Sequence, residues 1–555
     1  MTGRSKKESV MRLLLRFSDT DGTQRETAGE CVADSGDNLV RAVWLSGLVP
    51  PVPLCSGLGR CGRCRVRVDA AQAEALPPQP EETRLLGEEA VAAGWRLACR
   101  HSVPDIPALT LEVPRPPARG ARRLLRGADE SRSLLLAVDL GTTSIWWRAL
   151  TQDGDAVADG HFLNPQAGAG ADVMSRLAAA REPAARVRLA SRVRDSLREL
   201  VQQLAGEGVG RVSGLCVAGN TAMTDIFLDR DISGLCAAPY RCSHKGDSLE
   251  QVPGLPPVYI PPLPAPFVGG DISAGVAALA AVDIPRPFVL ADMGTNGELA
   301  LLDGEDRLFL TSVPLGPALE GIGPECGHMA GPDSITDFSL SPLGLVGATA
   351  DGRRFADGAA QPGRVSPPAA GPLPMGISAT GYLSLLAALL QLGILDEDGR
   401  FRVPEGGMPV ARALASRLET HPSGVRLPLP AGLWLSAADV EELLKVKAAF
   451  SLGLETLLRG AGLAASDLAC LCLGGALGEH VRPDCLARLG FLPAILRGRV
   501  RAVGNSSLDG AALLAVDEQA RAALRRLCEG ARLLSLTDAP DFHEAYVRHM
   551  RFVWR

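Results

Sequence analysis

Aromatic residues are scarce, only 4% of 555, too few for a base-stacking platform. A cationic excess is missing too. Lys and Arg number 57 against 63 Asp and Glu, a formal net charge of −6, so nothing points to nucleic acid. No apolar run approaches the roughly 20 residues of a membrane span. The longest early one, residues 13–15, is far too short. The polar first residues hold Arg4, Lys6 and Lys7 without the apolar h-region of a signal peptide. No partner membrane and a cytoplasmic location are therefore expected. There is also no Walker A loop, because no Gly-Lys fragment has the required spacing.

What is present is a cored, soluble composition, with 46% hydrophobic and 22% charged residues. The length suits three or four domains. Residues 13–17 read as a strand, 19–22 as a turn, 38–48 as a helix capped by Asp37 or Asn38, and 63–69 as a half-solvated strand. A small β-rich domain ends near Val103. The stretch PRPPARGARRLLRG inside 104–127 holds five Arg and no acid. It reads as a solvated, extended linker, with a docking site for an acidic partner as the alternative. From Ser133 onward apolar strands, Gly-rich turns and Ala/Leu helices alternate, an α/β pattern. Residues 353–374 read as a loop, 517–529 as a helix and 539–555 as a tail.

Thirteen cysteines in a cytoplasmic chain are not a disulfide framework. Four have meaningful spacing: Cys55-x5-Cys61-x2-Cys64, then Cys99 35 residues later. Three thiolates on one loop and a remote fourth are similar to the plant-type [2Fe–2S] arrangement, with a first gap like that of adrenodoxin-like ferredoxins. Gly57, Gly59 and Gly62 among them allow sharp turns and backbone N–H groups aimed at sulfur. Zinc stays the alternative, although its second CxxC knuckle is missing. The other cysteines, Cys326 apart, are taken as small buried apolar groups.

One internal repeat is visible. LLLAVDLGTTSIWW at 134–147 and FVLADMGTNGELAL at 288–301 share a strand, an Asp, a Gly-Thr turn and a second strand. Asp139 with Gly141, Thr142 and Thr143, and Asp292 with Gly294, Thr295 and Asn296, suit a phosphate tail and its Mg²⁺. A bland β-turn explains one copy but not two. The pair resembles the phosphate loops of the actin, Hsp70 and hexokinase superfamily. GGDISAGVAALAA at 269–281 and GNSSLDGAALL at 504–514 resemble its connecting helices. LCLGGALGE at 471–479, with Gly474 and Gly475, resembles its adenosine loop.

A family becomes recognisable in CSGLGRCGRCRVRV, LLGEEAVAAGWRLACR, VDLGTTS, NPQAGAGADVMSRL, AGNTAMTDIFL, ADMGTNGELAL, PLGPALEGIGPECGHMAGP and LGGALGE. The chain resembles the reductive activators of corrinoid proteins, ferredoxin–ATPase fusions that return Co(II) corrinoid to Co(I). The resemblance implies an α/β chain in five parts. A β-grasp [2Fe–2S] ferredoxin domain spans 1–103 and a linker 104–132. A duplicated actin-like ATPase with ribonuclease H-like lobes spans 133–287 and 288–516, and a C-terminal helix and tail 517–555. It implies a [2Fe–2S] cluster, ATP and Mg²⁺ as cofactors, with a corrinoid protein of a methyltransferase system and an external electron donor as partners. A homodimer is kept open. The physics suits the role. Co(II) reduction lies below the roughly −400 mV of a plant-type cluster. A gap of ~150 mV makes the transfer uphill by a few hundredfold, which ATP could offset. Cys326 and His328 in ECGHMAGP are implied to face the corrinoid partner, with a satisfied Gly-rich turn as the plainer alternative. GISATGYL at 376–383 departs from the family by lacking an expected cysteine. Two other readings are an ATP-driven electron donor to another low-potential enzyme, and a redox-sensing small-molecule kinase with Asp271 as base.

Overall fold

The computed structural model describes residues 10–18, 25–59, 61–114, 120–294, 296–342, 344–356, 373–421 and 424–554. They divide into two units, Met1–Asp271 with Ala511–Arg521, and Ile272–Gly510 with Ala522–Arg555. Among the described residues no helix is long and apolar enough to cross a membrane.

The first unit begins with a five-stranded sheet. Its strands are β1 (Val10–Ser18), β2 (Arg25–Asp34), β3 (Arg65–Val68), β4 (Trp95–Leu97) and β5 (Ala108–Pro114), in the order β2-β1-β5-β3-β4. Helices α1 (Leu39–Trp44), α2 (Pro80–Leu86) and α3 (Glu88–Ala92) accompany it. α1 is shorter than the 38–48 expected, and its cap is Asn38, whose side chain accepts from Val40 N–H. Leu13, Leu15, Val66, Leu97, Leu109 and Leu111 form the core.

β5 corrects the boundary drawn at residue 103. It lies in the middle of the sheet, parallel to β1. Alternating Leu109, Leu111 and Val113 are buried there, and the Pro-rich flank hides that period in the sequence. The proposed linker 104–132 contains a second strand, β6 (Gly120–Leu124), which pairs with the next sheet. Its arginines are extended as expected but paired with this chain's own acids: Arg122 with Glu207, Arg123 with Asp159 at 2.6 Å, and Arg126 with Asp155 at 2.9 Å.

Next come β7 (Ser133–Leu140), β8 (Ser144–Thr151), β9 (Ala156–Leu163), α4 (Val173–Ala180), α5 (Pro183–Gly206), β10 (Arg211–Gly219), α6 (Thr221–Leu228), β11 (Ser248–Glu250), β12 (Val258–Ile260) and α7 (Gly270–Ala281). Strands β9-β8-β7-β10-β12 are neighbours in that order. The first three run antiparallel, then β10 and β12 parallel to β7.

In the second unit β13 (Phe288–Met293), β14 (Asn296–Leu302) and β15 (Leu308–Pro314) are antiparallel. Strands Cys470–Gly474 and Val500–Ala502 continue parallel on the far side of β13. The connectivity repeats that of β7–β12, so the repeat read in the sequence is a repeat of topology. Gly510 lets helix Ser506–Val516 approach α7; a Cβ there would lie 1.9 Å from the Ala274 carbonyl oxygen. The helix expected at 517–529 is present, whereas the tail expected at 539–555 is instead structured. Glu518–Glu529 is helical, Arg532–Leu533 pairs with β15, and Phe542–His549 is a second helix. Buried Phe552 explains why this end is packed: it belongs to the core built around the long helix Ala437–Ala461. The two compact units divide at 271/272, with Ala511–Arg521 grouped with the first. Of the 353–374 loop, Arg354–Ala356 is a strand and 357–372 lie outside the described residues. The 19–22 turn also lies outside them.

Candidate functional site

The loop before β3 carries Cys55, Cys61 and Cys64. A 3-10 turn after β4, Ala98–Arg100, carries Cys99. The two stretches are tied by Ala98 N–H donating to the Cys64 carbonyl at 2.9 Å. Cys55 and Cys64 are buried, Cys61 and Cys99 half-buried. The thiols meet as two pairs, Cys61 with Cys55 and Cys64 with Cys99, and each shared contact raises one member, Cys61 and Cys64. Backbone N–H groups of Gly59, Arg63 and Cys99 donate to the sulfurs of Cys99, Cys61 and Cys64. Among the described residues no three His, Cys, Asp or Glu converge as a single-ion site. Four thiols with amide donors are a donor set that an iron–sulfur cluster can use. Gly59 has φ +67, and a Cβ there would meet the Arg100 Nε at 2.4 Å.

The remote cysteine is held by a buried polar network that the sequence did not announce. Glu82 accepts from Leu97 N–H at 2.5 Å, from Gln79 N–H at 2.8 Å and from His101 at 2.9 Å. Burial pushes the Glu82 carboxyl up, but these donors hold it below its usual range. Arg96 donates to the carbonyls of Leu76 and Val91.

In the first hairpin Asp139 closes β7, and Gly141, Thr142 and Thr143 form the turn. A Cβ on Gly141 would stand 2.6 Å from the Ser144 carbonyl oxygen. Two side chains from one segment grip the turn's carbonyls. Asn164 Nδ2 donates to Gly141 O at 2.8 Å, and buried Arg176 Nη2 donates to Thr142 O. In a trans peptide the N–H points opposite to the C=O. The Thr142 and Thr143 amides therefore face away from Asn164 and Arg176, as an anion cradle needs. Arg176 also donates to Gly170 O at 3.0 Å and Gln166 Oε1 at 3.1 Å. NPQAGAGADVMSRL is thus the support of the turn.

In the second hairpin Asp292 stands beside Gly474 in the ladder and Glu298 across it. Burial pushes its carboxyl up. Gly475, at φ +73, places its backbone where a Cβ would be 3.0 Å from Asp292 Oδ1. Its N–H donates to Gly504 O at 3.0 Å, linking the loop to the helix that follows. Gly294 N–H closes the hairpin turn onto Asn296 O at 3.1 Å. Thr295 lies outside the described residues. Asp271 is in the first turn of α7.

Cys326 is buried, receives Trp434 N–H at 3.5 Å, and is pushed up to about 12 by burial. His328 is half-buried with Nδ1 2.9 Å from Met329 O. The turn is stitched to Gly376–Ile377 through Ile377 N–H to Cys326 O at 2.8 Å. Of the remaining cysteines Cys216, Cys470, Cys472 and Cys485 are buried, while Cys31, Cys236, Cys242 and Cys528 are only half-buried.

Fold and sites define a two-lobed, actin-like α/β protein with a four-cysteine domain ahead of its first lobe. Two family models account for about three quarters of the chain: the RACo middle region matches 134–282, and the C-terminal domain of RACo, the ASKHA domain, matches 286–555. The chain belongs to the RACo family. It is 25% identical over 442 residues to the corrinoid activation enzyme RamQ of Eubacterium limosum, covering 75% of this chain and 70% of that one. It is 26% identical over 330 residues to the [Co(II) methylated amine-specific corrinoid protein] reductase of Methanosarcina barkeri, covering 54% and 55%. A solved reductive activator for corrinoid, iron-sulfur protein has the same fold, with TM-score 0.61, 22% identity and 98% of both chains covered.

Proposed function

We propose that this chain is an ATP-dependent reductive activator that delivers one electron to the Co(II) form of a corrinoid protein. The observation that carries the reading is the joining, in a RACo-family chain, of two thiol pairs to a duplicated hairpin fold. The names of RamQ and of the corrinoid protein reductase support the partner class. The strand order β2-β1-β5-β3-β4 supports a β-grasp ferredoxin domain that runs through β5.

A [2Fe–2S] cluster, when bound, supplies a one-electron carrier. Cys55 and Cys61 would hold one iron and Cys64 and Cys99 the other, with the Gly59, Arg63 and Cys99 amides tuning the sulfurs. Asp139 and Asp292 are proposed to orient Mg²⁺ and the attacked phosphate of ATP. Gly141, Thr142, Thr143, Gly294, Thr295 and Asn296 would receive the phosphates, and Gly474 and Gly475 the adenosine. Toward the corrinoid partner the half-buried His328 is retained; buried Cys326 supports that turn from inside. An external donor reloads the cluster.

The test uses anaerobic full-length protein, a Co(II) corrinoid protein and a strong reductant, followed at the Co(I) absorption band. Co(I) formation that needs MgATP and disappears in Cys61→Ser is expected. Co(I) formation without nucleotide, or none beside an intact cluster spectrum, would reject the reading.

A further inference from the structure

The four-cysteine domain and the first hairpin lie in one unit, and a hydrogen-bonded path runs from the cysteine loop to the turn. Ser56, next to Cys55, has φ +50, a left-handed conformation unusual for a non-glycine residue. Its hydroxyl donates to Asp172 Oδ2 at 2.9 Å and accepts from Ala171 N–H at 2.8 Å. Asp172 is the N-cap of α4: Oδ1 accepts from Ser175 N–H at 2.8 Å and Oδ2 from its hydroxyl at 2.6 Å. One turn along that helix is Arg176, whose guanidinium holds the Thr142 carbonyl in the phosphate-binding turn.

The links are two short side chains, one helical turn and buried Arg176, whose guanidinium is fixed by Gly170 O and Gln166 Oε1, so displacement at one end is transmitted rather than absorbed. The docking is broader than this one contact. Gly168 packs against Trp44, where a Cβ would lie 2.9 Å from the tryptophan Cβ. Arg192 donates to the carbonyls of Leu45 and Ser46, at 3.1 Å for the first. These contacts hold α1 in place. Ser56 connects the cysteine loop itself to the support of the turn, and its substitution tests that link apart from the docking of α1.

We propose that Ser56, Asp172 and Arg176 are positioning residues that couple nucleotide occupancy at the Thr142 turn to the redox state of the cluster. The inference rests on the function proposed above and adds its regulation. Reduction places one electron, from an external one-electron donor, on the cluster side of the path. Nucleotide places phosphate charge on the other. Both charges are negative, so each state disfavours the other, and linkage makes the effect reciprocal. Nucleotide then lowers the cluster potential, the direction an electron donor to Co(II) requires.

Affinity for MgAMP-PNP is measured calorimetrically on cluster-loaded, full-length protein, oxidised and then reduced by dithionite. Wild type should bind at least about fivefold more tightly when oxidised, within the usual range of such couplings. The same ratio should appear as a fall in midpoint potential of about 40 mV on adding nucleotide, at 59 mV per tenfold. Ser56→Ala should keep the cluster spectrum and nucleotide binding while the ratio falls to about one. Asp172→Asn, which keeps a cap acceptor for α4, should do the same. Equal affinities in the two states of wild type, or a ratio unchanged in both variants, overturns the coupling and leaves the activator reading standing. Absence of nucleotide binding in either state of wild type rejects the activator reading and the coupling with it.

Discussion

The two hairpins share a sequence pattern and a strand topology, yet they are supported differently. The first is held from behind by side chains, Asn164 and Arg176, that pull its carbonyls inward. The second is held by backbone, with Asp292 against Gly475 and Gly475 tied to Gly504. Duplication supplied two equivalent turns. What differs is the neighbour each is wired to: a segment that reaches the cysteine loop in one case, the Gly474–Gly475 loop in the other.

The largest effect is expected where side chains do the holding. Arg176→Met leaves the acceptors at Thr142, Gly170 and Gln166 without their donor inside the protein. At a cost of about 1–3 kcal/mol for each buried group left unsatisfied, stability of the first unit should fall by about 4 kcal/mol. Denaturant unfolding followed by tryptophan fluorescence checks this; a loss under 1 kcal/mol would mean that the grip is incidental.

The two carboxylates should be less unequal. Asp139→Asn and Asp292→Asn are each expected to lower MgATP-dependent Co(I) formation on the order of 10²-fold, with the cluster absorption unchanged. Because burial raises the Asp292 carboxyl, nucleotide affinity should fall with decreasing pH before an ordinary carboxylate titrates, and Asp292→Asn should remove that fall. A pH profile identical in both variants would erase the distinction between the hairpins.

A third effect contrasts two buried cations. Arg176 is spread over three acceptors, Thr142 O, Gly170 O and Gln166 Oε1. Lys447, fully buried with Nζ on the carbonyls of His549 and Val553, is lowered by burial to about 7. Between that value and the ordinary lysine pKa, the unfolded chain binds a proton that the folded chain lacks. Stability therefore rises with pH in this window, by about 2 kcal/mol from pH 7 to pH 9. Denaturation midpoints at those two pH values test it, and Lys447→Met should flatten the rise.

The smallest effect is backbone strain. Gly475→Ala forces a side chain into φ +73 against Asp292. About 1 kcal/mol of strain is expected, with MgATP affinity several-fold lower in a binding titration and an unaltered cluster spectrum.

This contrast also marks what could be seen in the sequence. Cysteine spacing, the Asp-Gly-Thr turns and the order of connecting helices were legible because each is a local pattern imposed by turn geometry or ligand count. β5 was not, because its period of two sits behind prolines, and its place beside β1 is a contact across almost a hundred residues. The packed C-terminus was missed for the same reason: its partner is the long helix Ala437–Ala461, distant in sequence. Arg176, Asn164 and Glu82 were invisible as individuals. A single polar residue carries no sign of the buried partner it will meet elsewhere in the chain. The one signal was that Arg176 stands among Ala and Leu in VMSRLAAA, where a charge must find buried partners.

An ATP-dependent activator should open electron flow from its own cluster to Co(II) when MgATP binds. The most direct measurement pre-reduces the cluster, removes excess reductant, mixes in a Co(II) corrinoid protein, and follows both paramagnetic signals by freeze-quench EPR. The reduced-cluster and Co(II) signals should vanish together, one for one, only after MgATP is added. Loss of either signal without the other, or the same loss without nucleotide, would contradict it.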